Sequence, residues 1–369
     1  MSWQALVRQY FVDYSRTEGK GYAPLYERLA PLIAHDEQLL GLLEAAPPMQ
    51  RRPVLMFAAT HALIMRHPDQ AIARWYPSID GPLARSPDEA GLFPAFKSFC
   101  LAHAAELQQL FRERRTQTNE VGRSAFLLPI FSAIGHRTGQ PLYLLEVGAS
   151  AGLNLLFDRY ACHYSSGEVL GDRDSTVQIQ CELRGTIAPP LDRPMPVIAG
   201  RIGLDIAPIH AGDPVESQWL RACVFADNTE RAGRLAAALA LARASPPELV
   251  TGDALEKLPG LIAAAPRDAR LCIFHTWVIT YLPRERRTAF AELLRQASHQ
   301  RTLTWVAGEN AQAIPGLDTR NMPVDLNDSS ASPTVLTVTD WASGVPAMSV
   351  VGRSHPHGAW LEWLDPAGA

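Results

Sequence analysis

The stretch LLEVGASAGLN, residues 144–154, runs from an apolar segment through a turn of small residues towards the start of a helix. Two kinds of chemistry are built on such a turn. A G-x-S-x-G elbow stands a serine at a sharp strand-to-helix bend, and Gly148, Ala149, Ser150, Ala151 and Gly152 match that pattern letter for letter. A ligand-cradling loop uses glycines so that backbone N–H groups approach a bound molecule. The same residues match it with Ser150 in place of one glycine. In this second reading Gly148 permits the tight turn, Gly152 permits close backbone packing, and Ser150 caps a helix beginning near Ala151.

The surrounding sequence weighs on the choice. A hydrolase elbow needs a sheet ahead of it and an oxyanion loop of the HGGG kind upstream. Residues before 140 read as helical, and no such loop precedes the serine. An order Ser150, Asp253, His355 can be written down, but a chain with eleven histidines makes that easy. The cofactor loop is the favoured reading, with a serine hydrolase using Ser150 as the lesser one.

Residues 1–125 form an expected helical region. Leu25, Leu29, Leu32, Leu39, Leu40 and Leu43 recur at helical spacing, and RRPVLMFAATHALIMRH and FPAFKSFCLAHAAELQQLFRERR are two further helical runs. From 126 to 369 short apolar runs end in small or polar turns: PLYLLEVGA, PVIAGRIGLDIAPI, PELVTGDAL, ARLCIFHTWVI and RTLTWVAGEN. These read as strands buried on both faces of a parallel sheet, with helices such as ERAGRLAAALALARAS and RRTAFAELLRQASHQ between them. The expected fold class is therefore α/β, a mostly parallel sheet preceded by an all-helical part. An inserted β-hairpin is expected near residues 162–185, and antiparallel strands at a sheet edge from the C-terminal segment.

Composition narrows the function classes. The 369 residues are 47% hydrophobic and 20% charged with a net charge of −4, a globular balance without the basic excess of a nucleic-acid binder. No apolar run approaches the ~20 residues of a membrane span, and the charged N-terminus lacks a signal-peptide core. Five scattered cysteines without a C-x-x-C pair argue against a disulfide framework or a zinc site, and suggest reduced thiols in a cytoplasmic protein. His355 and His357 lack a third ligand at recognisable spacing, so no metal is expected.

The acidic residues carry a resemblance. LLEVGASAGLN resembles motif I of class I S-adenosylmethionine-dependent methyltransferases, GLDIAP is similar to the acidic end of their second strand, and VTGDAL to the segment whose aspartate lies beside the adenine. LCIFHTWVITYL is similar to their fourth strand and following helix, and the C-terminal hairpin to their antiparallel seventh strand. More closely, QTNEVGR, LLEVGASAGLNLLFDRY, WLRACVFADNTER and FHTWVITYLP resemble an uncharacterised bacterial family, domain-of-unknown-function family 2332, over nearly the whole chain. The resemblance implies a Rossmann-like fold binding S-adenosylmethionine through Glu146, Gly148, Ala149, Ser150, Gly152, Asn154, Asp205 and Asp253. Two departures stand out. Ser150 replaces the middle glycine, and Asp205 lies much further from the loop than the ~20 residues of a plain nucleotide-binding unit. The inserted hairpin accounts for the gap, and Glu182 within it is a rival acceptor for the ribose hydroxyls.

Further polar residues have two readings each. Asn119, Glu120 and Arg123 are either a lid edge over the cofactor or a helix cap with a surface ion pair. His275, Trp277 and Tyr281 are either acceptor-facing, with Tyr281 on the helical face of Trp277, or core residues. The expected activity is methyl transfer to an unknown small-molecule acceptor. The other class is a non-catalytic module binding the cofactor or its demethylated product.

Overall fold

The run preceding the glycine turn forms strand β1 (Leu142–Val147), five of whose six residues are buried. The structure is a computed structural model that describes residues 2–318, 320 and 333–365. The remaining strands are β2 (Ala161–Tyr164), β3 (Val169–Gly171), β4 (Gln178–Arg184), β5 (Ile198–Asp205), β6 (Glu248–Thr251), β7 (Arg270–Thr276), β8 (Leu303–Glu309), β9 (Thr334–Ala342), β10 (Val345–Ser354) and β11 (Trp360–Trp363). They form one sheet of eleven described strands in the order β3-β2-β4-β11-β10-β9-β8-β7-β1-β5-β6.

Five of these strands position the site. From β1 the chain adds β5 and then β6 on one side, and later β7 and β8 on the other, all parallel. The order reverses between β1 and β7, and in open α/β sheets the ligand crevice lies beyond the carboxyl ends of strands at such a reversal. Strands β1, β7 and β8 were legible because a strand covered on both faces is apolar throughout. By contrast, β5 is buried only at Ile202, Gly203 and Leu204, and β6, at the sheet edge, has no buried residue, so the expected burial on both faces does not hold for these two. All seven residues of β8 are buried. A core including Leu145, Val147, Leu204, Ile273, Trp305 and Phe290 fills one face.

The C-terminal strands do run antiparallel, β9 against β8, β10 against β9 and β11 against β10. They do not end the sheet. The insert contributes the expected hairpin, β2 with β3, and also β4, which pairs parallel with both β2 and β11. The insert therefore extends the sheet at its far end. No described helix is long and apolar enough to cross a membrane.

The chain divides into two compact units. One comprises Met1–Thr118 and Gly212–Ala236, the other Asn119–Ala211 and Ala237–Ala369. The boundary thus precedes residue 125, and helix Ser124–Thr138 belongs with the sheet. In the first unit the assigned elements are helical, including Trp3–Arg16, Pro24–Ala34, Glu37–Leu42, Pro53–Arg66, Leu92–Ala102 and Ala104–Glu113. The leucine-rich run forms two helices because the Asp36 carboxylate accepts the N–H groups of Gln38 and Leu39 at 3.1 and 3.0 Å and starts a new one.

Asp227 serves helix Pro24–Ala34 in a similar way. The helix's own N-cap, Ala23, offers no side-chain acceptor, and the Asp227 carboxylate takes the Leu25 N–H at 3.2 Å. Burial pushes the Asp227 pKa up to about 6, against the pull of that N–H. Tyr14, Tyr26 and Tyr76 face it, with pKa values raised chiefly by burial. A carboxylate whose folded pKa exceeds the unfolded value of ~3.9 contributes stability below pH ~4 that is lost as pH rises through ~6. Asp227→Asn keeps an acceptor for Leu25 and removes the titration. Its stability relative to the wild type should improve by ~2–3 kcal/mol between pH 4 and pH 7. Urea melts of both proteins across that range check this, and a constant difference would count against it.

Candidate functional site

The loop after β1 is held by the chain itself. Gly148 and Ala149 donate their N–H groups to the Leu204 carbonyl, at 2.7 and 3.3 Å. Ser150 N–H goes to Oδ2 of Asp205 at 2.7 Å, while Asp205 Oδ1 accepts from Ala207 N–H at 2.8 Å. Asn119 Oδ1 accepts both Ala151 and Leu153 N–H at 3.1 Å. Gly152 N–H returns to Ala149 O at 2.7 Å. The loop is left-handed at Gly148, Ser150 and Gly152, with φ of 71°, 51° and 68°. An added Cβ on Gly148 would lie 2.3 Å from Val278 Cγ2, and one on Gly152 2.6 Å from Pro247 Cγ.

The structure corrects the expected Ser150 cap. The turn enters a 3-10 segment, Leu153–Arg159, with left-handed Gly152 at its N-cap and a kink at Leu156. Asn119, 32 residues upstream of Ala151, supplies the acceptor that sequence reasoning gave to Ser150.

Four acidic residues stand at or just beyond strand ends. Glu146 on β1 is 1% exposed, and burial drives its pKa well above the usual carboxylate range. Its Oε1 accepts from Asn154 Nδ2 at 3.3 Å, but Glu146 Oε2 and Asn154 Oδ1 are buried without a hydrogen-bond partner. Asp205 ends β5, next to β1, so the insert does account for the long gap. Glu182 lies on β4, separated from β1 by the five strands β11, β10, β9, β8 and β7, and pairs with Arg184 at 2.7 Å. That removes it from the loop's neighbourhood. Asp253 follows β6, caps helix Ala254–Ala264 through Leu255 N–H at 2.9 Å and pairs with Arg286. Burial raises its pKa, but the Arg286 guanidinium and backbone donors outweigh that and hold it below the ordinary value.

Glu309, which ends β8, escapes a sequence reading although RTLTWVAGEN displays it. Its fully buried carboxylate accepts His275 Nδ1 at 2.7 Å, Val278 N–H at 2.7 Å, and Ile279 and Thr280 N–H, both at 3.2 Å. Trp305 Nε1–H, which only donates, reaches His275 Nε2 at 2.9 Å. The hydrogen of His275 is therefore on Nδ1, and both ring nitrogens are engaged. His275 is 0% exposed and acts as a strut between Glu309 and Trp305, so an acceptor-facing role does not fit its geometry. Trp277 has φ 56° and donates Nε1–H to Thr334 Oγ1 at 2.7 Å. Tyr281 is 79% exposed at the end of a 3-10 turn, Ile279–Tyr281, so it shares no helical face with Trp277.

Asn119, Glu120 and Arg123 are buried ties rather than a surface edge. Arg123 Nη1 reaches Thr276 O and Oγ1 at 2.9 and 3.1 Å, and its Nε reaches Pro356 O at 3.1 Å. Glu120 Oε1 accepts Gly122 N–H at 3.0 Å, and its Oε2 lies 3.4 Å from His357 Nδ1. His355 Nδ1 accepts His357 N–H at 3.1 Å. With Asp253 on Arg286, the hydrogen bonds described for the would-be triad partners lead away from Ser150. The five cysteines carry no disulfide.

These features define a mixed α/β protein whose parallel strands carry, at the reversal of their order, a glycine turn flanked by the carboxyl groups of Glu146 and Asp205. The chain belongs to the family described as an uncharacterized protein conserved in bacteria (DUF2332), whose model matches residues 8–363. Among curated proteins and among solved structures none matches the chain.

Proposed function

We propose that this protein binds S-adenosylmethionine in a Rossmann-like, methyltransferase-type crevice at the carboxyl ends of β1, β5 and β6, and transfers its methyl group to a small-molecule acceptor. One observation carries the reading: the loop's N–H groups are already taken by Asp205, Asn119 and backbone carbonyls, while carboxylates line the strand ends. A dinucleotide needs such N–H groups, and the dipole of a full helix, for its pyrophosphate. Neither is on offer, and the Asp205 carboxylate beside the loop would repel the phosphates. A sulfonium nucleoside has no phosphate. It brings hydroxyl and ammonium donors, and these suit the remaining lone pairs of Asp205, which is half-buried at the end of β5. When bound, the cofactor supplies an electrophilic methyl group. The protein's part is then to align an acceptor with it.

The enclosure of His275 and Glu309 favours, as a second reading, a module that binds the cofactor without turnover.

Asp205→Ala tests the site. It removes a carboxylate that accepts from two backbone groups and would accept ribose hydroxyls, so S-adenosylhomocysteine affinity should fall at least ~10-fold, about 1.4 kcal/mol. Glu182→Ala should leave it nearly unchanged. Equal losses, or the reverse order, would sink the assignment. Labelling of Ser150 by a fluorophosphonate probe would instead support the hydrolase.

A further inference from the structure

We propose that His67, His103 and Glu106, in the helical unit, form a binding site for a divalent transition-metal ion of the zinc type. One ligand atom from each residue lies within 4.8 Å of the others. The backbone holds all three at helix ends. His67 closes helix Pro53–Arg66, its N–H on the Leu63 and Ile64 carbonyls at 3.0 Å. His103 stands between helices Leu92–Ala102 and Ala104–Glu113, its N–H on Phe99 O at 3.0 Å. Glu106 is the third residue of the latter helix. Packing orients the rings as well. His103 lies 4.5 Å from the Phe99 ring and 4.7 Å from the His67 ring.

The chemistry fits a borderline ion. Two imidazoles and a carboxylate, with no thiolate, suit zinc, cobalt, nickel or copper better than magnesium or calcium. Metal–nitrogen and metal–oxygen bonds of ~2.0–2.2 Å place tetrahedral ligand atoms ~3.4 Å apart. The His103 Nδ1–Glu106 Oε1 pair, now 2.8 Å apart, opens slightly, and the widest pair closes by side-chain rotation. The Glu106 side chain is 51% exposed, leaving a wet side where water completes the shell. Three protein ligands and an open position is the arrangement of exchangeable or catalytic metal sites rather than closed structural ones. The sequence hid it because the ligands come from three helix ends, with His67 and His103 far apart and no motif spacing.

The test titrates chelator-treated, full-length protein with zinc against a chromophoric chelator, and with cobalt while its visible d–d absorption is recorded. One equivalent should bind, with a cobalt spectrum. His67→Ala and His103→Ala should each lower zinc affinity at least ~10-fold and abolish the spectrum. Glu106→Gln should weaken binding less, and His299→Ala, at an exposed histidine elsewhere, should change nothing. Unchanged melting of the metal-free variants would show that they remain folded. Failure of the wild type to bind stoichiometrically, or undiminished affinity in both histidine variants, would overturn the proposal.

Discussion

Gly148→Ala is expected to destabilise the protein by ~2–5 kcal/mol, and Val278→Ala in the same chain should recover a large part of that loss. Two penalties add. A Cβ residue at a φ of 71° occupies left-handed space at ~1–2 kcal/mol. The new methyl would lie 2.3 Å from Val278 Cγ2 and 2.9 Å from Cγ1, an overpacking worth ~1–3 kcal/mol. Only the second penalty depends on Val278. Trimming that side chain leaves its Cβ at 3.2 Å, which a few tenths of an ångström of adjustment accommodates. A double-mutant cycle by urea denaturation should show coupling of ~1–3 kcal/mol. Additive effects would mean that Gly148 is required by φ alone. Glycine is needed here whether or not a ligand approaches the loop.

Glu309→Ala should cost at least ~3 kcal/mol and sharply reduce soluble yield. The carboxylate receives four donors, His275 Nδ1–H and three consecutive backbone N–H groups, in a place with no solvent access. Each donor stranded in such surroundings costs ~1–3 kcal/mol, moderated by local relaxation. The loss should concentrate where β7 turns into Ile279–Tyr281. Amide hydrogen exchange of Val278, Ile279 and Thr280 should speed up well beyond that of β1. A variant that melts like the wild type, with those amides still protected, would contradict a strut at Glu309.

Gly148 and Glu309 also mark where sequence stops being informative. β1, β7 and β8 were readable because strands covered on both faces must be continuously apolar, β5 and β6 from short apolar runs although β6 has no buried residue, and the small or polar residues at their ends announce the turns. Asp205 at the end of the strand beside β1 followed from the same pattern. What holds the loop did not. Asn119 reaches Ala151 and Leu153 across a span no motif records, and it replaces the Ser150 cap that local propensity favoured. The 3-10 turn after Gly152 is likewise a tertiary outcome, secured in part by the Arg201–Asp158 ion pair at 2.8 Å. His275 looked able to face an acceptor because position along a strand says nothing about whether both ring nitrogens are occupied. Trp305 and Glu309 settle that, and both lie on a different strand. The division of the chain was half visible. Helical character set the first unit apart, but residues 212–236 joining it depends on packing between distant segments.

The proposed crevice takes a sulfonium nucleoside and not a dinucleotide. Calorimetric titration of the full-length protein with S-adenosylhomocysteine and, separately, with NAD distinguishes the two. Saturable heat with S-adenosylhomocysteine and none with NAD is the expected result. Silence with S-adenosylhomocysteine, or tighter binding of NAD, would contradict it.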